Sequence, residues 1–200
     1  YAFSINYFNG KLIITGCNKN TSTGTIFTSN NNGVNWTESQ TGFDTSYNPA
    51  SVAIDNNNNL FLLGYKFDTN TNKYVSCLYK STDNANSWTN ITPTDLSNLG
   101  YAFSINYFNG KLIITGCNKN TSIGTIYTSN NNGVNWMESL TGFDTSYNPA
   151  SVAIDNNNNL FLLGFKFDTN TNKYVSCLYK STDNANSWTN ITPTDLSNLG

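Results

Sequence analysis

The sequence contains no histidine, and its ten Lys-plus-Arg residues are all lysines. Without histidine the chain lacks the side chain that most readily exchanges a proton near neutral pH. Without arginine it lacks the planar fork that grips carboxylates and phosphates bidentately. Charged residues make up 11% of the chain and the formal net charge is -2, so no basic patch can neutralise a phosphate backbone. Nucleic acid is therefore not an expected partner. The longest apolar runs, such as Leu60-Phe61-Leu62-Leu63, are strand-sized, which argues against membrane insertion. No segment sets apolar residues at helical spacing behind a cap, so almost no helix is expected. Zinc-type spacing of Cys and His is missing as well, and no cofactor is expected.

Aromatic residues are plentiful at 14%, with four Trp and twelve Phe. Side chains of that size can offset chain entropy, so the abundance of Asn, Thr and Ser does not signal disorder. The composition fits an ordered all-β protein with polar surfaces.

Residues 1–100 and 101–200 differ at five positions: Thr23/Ile123, Phe27/Tyr127, Thr37/Met137, Gln40/Leu140 and Tyr65/Phe165. Because the sequence starts and stops on a unit boundary, it is expected to be a piece of a longer array or a segment cut to the repeat. The absence of a visible signal peptide then carries no information about secretion. A second repeat lies inside each half. Ala2-Phe3-Ser4-Ile5 matches Ser51-Val52-Ala53-Ile54, and Leu12-Ile13-Ile14-Thr15-Gly16 matches Leu60-Phe61-Leu62-Leu63-Gly64. The resulting period of about fifty residues marks propellers or solenoids, in which one supersecondary unit stacks on the next.

Each unit divides into four short strands, at 2–6, 11–17, 24–29 and 35–39 in the first. Asn9-Gly10 supplies the positive φ angles of a type I′ hairpin turn. In the second unit the corresponding turn is 56–59, and the loop at 68–73 is longer. Four-stranded meanders at this period fit propeller blades, giving units 1–50, 51–100, 101–150 and 151–200. A row of β-sandwiches is the competing arrangement, for which fifty residues is too short but a 100-residue unit would suffice.

Between the third and fourth strands lie Ser29-Asn30-Asn31-Asn32-Gly33-Val34-Asn35-Trp36 and Ser81-Thr82-Asp83-Asn84-Ala85-Asn86-Ser87-Trp88. The pattern returns from Ser129 through Asn131 and Gly133 to Trp136, and from Ser181 through Asp183 to Trp188. These segments resemble the Asp-box, or bacterial neuraminidase repeat, Ser-x-Asp-x-Gly-x-x-Trp. One copy in each half has Asn in place of Asp, and the other has Ala in place of Gly. A short Asx side chain accepts backbone N–H groups and closes the turn, while the Trp packs into the blade. The expected role is structural.

The resemblance implies a sialidase-like β-propeller, and it brings enzymes into question. Sialidases of this kind clamp the substrate carboxylate with arginines, which are absent here. A glycosidase of the xyloglucanase type would need two carboxylates across the sugar. The candidates Glu38, Asp44, Asp55, Asp68, Asp83 and Asp95 all fall in or near predicted turns and outer strands. A catalytic centre also needs different residues converging once, whereas the two halves offer the same residues twice. Identical units suit repeated contacts.

The expected function is therefore a non-catalytic structural building block of an extracellular or cell-surface fibre, sheath or appendage. Its partners would be copies of itself or adjacent repeats. A lectin-like propeller that binds glycans is the alternative. Tyr7-Phe8-Asn9 and Tyr47-Asn48 would suit stacking on sugar faces, although inter-blade core is the plainer reading of the same aromatics. Three of the substitutions, at 123, 137 and 140, add apolar surface near the outer edge of the second half, where another chain or blade could meet it.

Asn20, Asn35, Asn90, Asn120 and Asn190 fit the N-glycosylation acceptor pattern. Asp68, Asn70 and Asn72 alternate like calcium-loop ligands, but the sixth position is Lys73 rather than Gly and the twelfth is Tyr79 rather than Glu. A solvated hairpin is the plainer reading. Cys17, Cys77, Cys117 and Cys177 fall on successive units with thiols pointing the same way, which leaves bridged and buried free states both open.

Overall fold

The computed structural model describes residues 1–198 and contains four four-stranded antiparallel sheets. Leu199 and Gly200, the end of the expected unit 151–200, lie outside the described residues. Sheet 1 comprises β1 (Ala2–Phe8), β2 (Lys11–Cys17), β3 (Gly24–Ser29) and β4 (Thr37–Glu38). Sheet 2 comprises β5 (Asn48–Ile54), β6 (Leu60–Asp68), β7 (Lys73–Ser81) and β8 (Thr89–Asn90). Sheet 3 comprises β9 (Leu99–Phe108), β10 (Lys111–Asn118), β11 (Gly124–Ser129) and β12 (Met137–Glu138). Sheet 4 comprises β13 (Asn148–Ile154), β14 (Leu160–Asp168), β15 (Lys173–Ser181) and β16 (Thr189–Asn190). Each is a simple meander in chain order, the blade of a β-propeller. Helical structure is confined to the 3-10 turns Thr94–Leu96 and Thr194–Asn198 among the described residues.

Turn chemistry sets the register. Asn9 and Gly10 both take positive φ, 48° and 79°, so the β1–β2 hairpin closes in two residues with Phe8 opposite Lys11. The β5–β6 turn lacks glycine and is closed by a carboxylate instead. Asp55 Oδ1 accepts the N–H groups of Asn57 and Asn59 at 2.9 and 2.8 Å, and Asn58 sits at φ 63°. The outermost strand is shorter than the expected 35–39. Only Thr37 and Glu38 pair with β3, because the turn before them is held by its own side chains.

The blades stack through alternating faces. In β6, Leu60 and Leu62 join Ile13 and Ile26 in the core between sheets 1 and 2. Phe61 and Leu63, pointing the other way, join Ile105, Leu112 and Ile114 between sheets 2 and 3. A third core, around Ile113, Ile126, Leu160 and Leu162, lies between sheets 3 and 4. A strand buried on both faces has no polar position to alternate with, which accounts for the continuous apolar run. Full burial of each such side chain contributes about 1.5–3 kcal/mol.

The row is open. Among the described residues no core cluster and no hydrogen bond joins sheet 4 to sheet 1. Identical residues consequently differ in exposure. Ile105 is 2% exposed and its copy Ile5 is 64% exposed, while Leu63 is fully buried and Leu163 is 39% exposed. The substitutions at the outer edge divide: Met137 is exposed, whereas Leu140 packs against the core between sheets 3 and 4.

Candidate functional site

The two ends of the blades carry different chemistry. At one end lie the turns that follow β3, β7, β11 and β15. Ser29 donates its hydroxyl to Asn31 Oδ1 at 3.0 Å and accepts the Gly33 N–H at 3.0 Å. Asn31 Oδ1 also accepts the Asn35 N–H at 2.9 Å, and the Trp36 indole N–H reaches the Gly33 carbonyl at 2.9 Å. Ser129, Asn131, Gly133 and Trp136 repeat this arrangement.

The alternate copies are built around a carboxylate. Asp83 Oδ1 accepts the Ser81 hydroxyl at 2.8 Å and the N–H groups of Asn86 and Ser87 at 3.1 and 2.9 Å. Its Oδ2 accepts the Ser87 hydroxyl at 2.5 Å. The Ser87 side chain and backbone together hold the Asp83 carboxyl down at about 2. Ser181 and Asp183 make the same bonds. Trp88 and Trp188 differ from Trp36: their indole N–H groups cross to the carbonyls of Ser39 and Ser139 on the preceding sheet, at 3.1 and 3.2 Å. Two copies thus seal their own turn, and two tie one blade to the blade before it.

At the opposite end, beside the loops joining β2 to β3 and β6 to β7, the inner strands carry a belt of aromatic rings. Phe3 lies 6.3 Å from Tyr65, and Tyr65 lies 4.1 Å from Tyr101. The belt continues through Phe103 at 5.1 Å and Phe165 at 5.8 Å to Tyr174 at 6.0 Å. A groove of about 640 Å³ opens on this belt, lined by Phe3, Asn18, Lys19, Tyr65, Tyr74 and Tyr101 among others. A smaller groove of about 310 Å³ lies beside it, between Phe67, Tyr74 and Tyr101 on one side and Asn118, Lys119 and Asn148 on the other. Two residues of the first groove, Asn18 and Lys19, have their copies Asn118 and Lys119 in the second.

No carboxylate lines either groove among the described residues. The hydroxyl of Tyr65 is pushed up by burial and by its 2.8 Å hydrogen bond with Tyr101, so it stays a neutral phenol. Burial also raises the Cys17 thiol, which donates to Asn48 Oδ1 at 2.8 Å. The groove therefore offers flat aromatic faces, amides and a cation, and no acid-base pair.

The carboxylates weighed above are engaged in turns and, for Glu38 and its copy Glu138, in the outermost strands. Asp44 accepts the Ser46 N–H at 2.9 Å, and Glu138 accepts the Thr125 hydroxyl at 3.1 Å. Asp95 accepts the Trp136 N–H at 2.9 Å across two sheets. In the loop after β6, Asp68 accepts the Asn70 N–H at 3.0 Å and the Thr71 hydroxyl at 2.8 Å, and Asn72 stands at φ 54°. The described residues hold no group of three or more His, Cys, Asp and Glu able to bind a metal. All four cysteines are free thiols.

Asn20, Asn35, Asn90, Asn120 and Asn190 are all exposed. Asn90 and Asn190 each accept the N–H two residues on at 2.9 Å, and Asn120 accepts Lys73 Nζ at 2.8 Å. Of the aromatics weighed for sugar stacking, Tyr7 is exposed, whereas Phe8 and Tyr47 belong to the core between sheets 1 and 2. Lys66 covers the Tyr47 ring at 4.3 Å. Lys11 and Lys111 escape a reading by sequence. They are buried at the start of β2 and β10 and donate to the Asn84 and Asn184 carbonyls of the next blade, at 2.7 and 2.5 Å. Nothing in their sequence context separates them from solvated hairpin lysines.

Among solved structures the chain is similar to an exo-β-1,3-galactanase from Phanerochaete chrysosporium. The TM-score is 0.65 at 13% identity, covering 96% of this chain and 49% of that one. It is also similar to YCF48 bound to D1 peptide, with a TM-score of 0.63 at 16% identity, covering 96% and 55%. Trypanosoma rangeli sialidase gives 0.64 at 13% identity, covering 95% and 37%. The chain thus spans about half the length of the galactanase, and at these identities the likeness is one of fold. No curated protein sequence matches it. The sequence pattern of the DUF6242 beta propeller domain matches residues 55–168, more than half of the chain, and the chain belongs to that family.

Proposed function

We propose that this chain is a non-catalytic propeller segment that serves as a repeated building block of an extracellular or cell-surface assembly, a fibre, sheath or appendage. One observation carries the reading. Every carboxylate from Glu38 to Asp183 accepts a hydrogen bond from a backbone or hydroxyl donor, and apart from that of Asp95 the two halves repeat these bonds instead of converging on one centre. The Ser-to-Trp turns, in this reading, are degenerate Asp-boxes with a structural role, and 1–50, 51–100, 101–150 and 151–200 are the blade units. On a secreted chain the exposed Asn20, Asn35, Asn90, Asn120 and Asn190 are the candidate acceptors. The test pairs two measurements. Incubation with a panel of polysaccharides is expected to release no reducing ends above buffer, and imaging of the native surface is expected to show a continuous array. Sugar release, or discrete unlinked particles, would overturn the reading.

The aromatic grooves favour a second reading, a glycan-binding propeller. Rings, amides and a lysine repeated beside sheets 1 and 3 suit shallow, multivalent contact with sugar faces. Binding on a glycan array that falls at least about tenfold in Tyr74→Ala would support it. An array with no signal would remove it.

A further inference from the structure

The two open faces of the row are the two halves of a joint that the molecule already contains. Between sheets 2 and 3 the joint is complete: Phe61 and Leu63 on one side meet Ile105, Leu112 and Ile114 on the other. Polar ties pin its register. Ser51 Oγ accepts the Ile105 N–H at 3.3 Å, Asp95 accepts the Trp136 N–H at 2.9 Å, and Lys73 Nζ donates to Asn120 at 2.8 Å. Sheet 4 carries the copy of the first side, in Phe161, Leu163, Ser151, Lys173 and Asp195. Sheet 1 carries the copy of the second, in Ile5, Leu12, Ile14, Asn20 and Trp36. Ser151, Leu163, Lys173 and Asp195 are exposed on one face, and Ile5 and Asn20 on the other.

We propose that a second copy of this chain docks head to tail, sheet 4 of one copy against sheet 1 of the next, and remakes the joint between sheets 2 and 3. The proposal rests on the building-block reading and names its contact. The occupant follows from the molecule's own interface. The residues on each open face are those that already bury one another inside the chain, so no other partner is needed to specify shape or register. Two of the five differences between the halves fall within this contact: Phe27 stands where Tyr127 packs in the internal joint, and Phe165 stands where Tyr65 bonds the Tyr101 hydroxyl, so the new joint stacks Phe165 on Tyr1 without that bond. Such a contact is heterologous, each copy giving a different face, and it either closes a ring or propagates.

The test is sedimentation velocity on the 200-residue chain with one variant per face. Wild type is expected to associate with rising concentration, as a closed pair or a longer row. Ile5→Lys and Leu163→Lys each keep one good face, and each alone is expected to weaken association at least about tenfold. Mixed together, they are expected to form a one-to-one pair and nothing larger, through the sheet 4 face of Ile5→Lys and the sheet 1 face of Leu163→Lys. Tyr7→Lys and Ser151→Lys, at exposed positions on the same two faces, repeat the experiment should either first variant misfold. A wild-type chain that stays monomeric overturns the proposal, as does a single variant that still self-associates. Failure here with a continuous native array would leave the building-block reading standing. A head-to-tail pair with only discrete native particles would do the reverse.

Discussion

At the scale of single residues, the Ser-to-Trp turns show one backbone path held by two side-chain sets. Gly33 and Ala85 occupy the same place, at φ 86° and 62°. An L-residue in that region costs about 1–2 kcal/mol, and the buried Ala85 methyl regains about 0.8 kcal/mol. Ala85→Gly should therefore change stability by less than about 1 kcal/mol in urea denaturation. Gly33→Ala meets its nearest atoms only at ordinary contact, Leu12 Cδ1 at 3.6 Å, so the backbone term stands and a loss of about 1 kcal/mol is expected. The carboxylate copies add a pH dependence. Asp83 titrates at about 2 when folded, against about 4 in an unfolded chain. Its contribution is complete above pH ~4 and is lost as pH falls toward ~2. Asp83→Asn, which copies Asn31, should flatten melting temperature against pH in that window. An unchanged slope would mean that the carboxylate is not the group being titrated.

At the scale of strands and sheets, much was legible in the sequence. The four-strand meander, the Asn9-Gly10 hairpin and the nearly helix-free chain follow from turn residues and short apolar runs. Leu60-Phe61-Leu62-Leu63 reads as a strand buried on both faces, and it is one. The partner of each face was not legible. Ile5 and Ile105 sit in the same eight-residue sequence, yet one is open and the other closed, because burial depends on the neighbouring blade. The buried lysines Lys11 and Lys111 and the crossing indoles of Trp88 and Trp188 were missed for the same reason. Each makes its bond to another blade, which local sequence does not encode. This dependence gives a paired prediction. Leu63→Ala, in a closed joint, should cost about 2–5 kcal/mol, whereas Leu163→Ala, at an open face, should cost under about 1 kcal/mol in dilute solution. Equal losses in thermal or chemical unfolding would contradict the assignment of open and closed faces.

At the scale of the whole molecule, the chain resembles enzymes in fold while placing its carboxylates in turns and outermost strands and a row of its aromatics on a belt. A propeller closes when its outermost blades meet, and among the described residues no core joins sheet 4 to sheet 1. Because both ends present the surfaces of an internal joint, growth by repetition uses no contact that the molecule lacks. A cryo-EM reconstruction of the assembled chain tests this most directly. The account predicts a head-to-tail contact between sheets 4 and 1 that superimposes on the one between sheets 2 and 3, with Ile5 buried against Leu163. Particles of four blades closed on themselves, or copies joined through like faces, would contradict it.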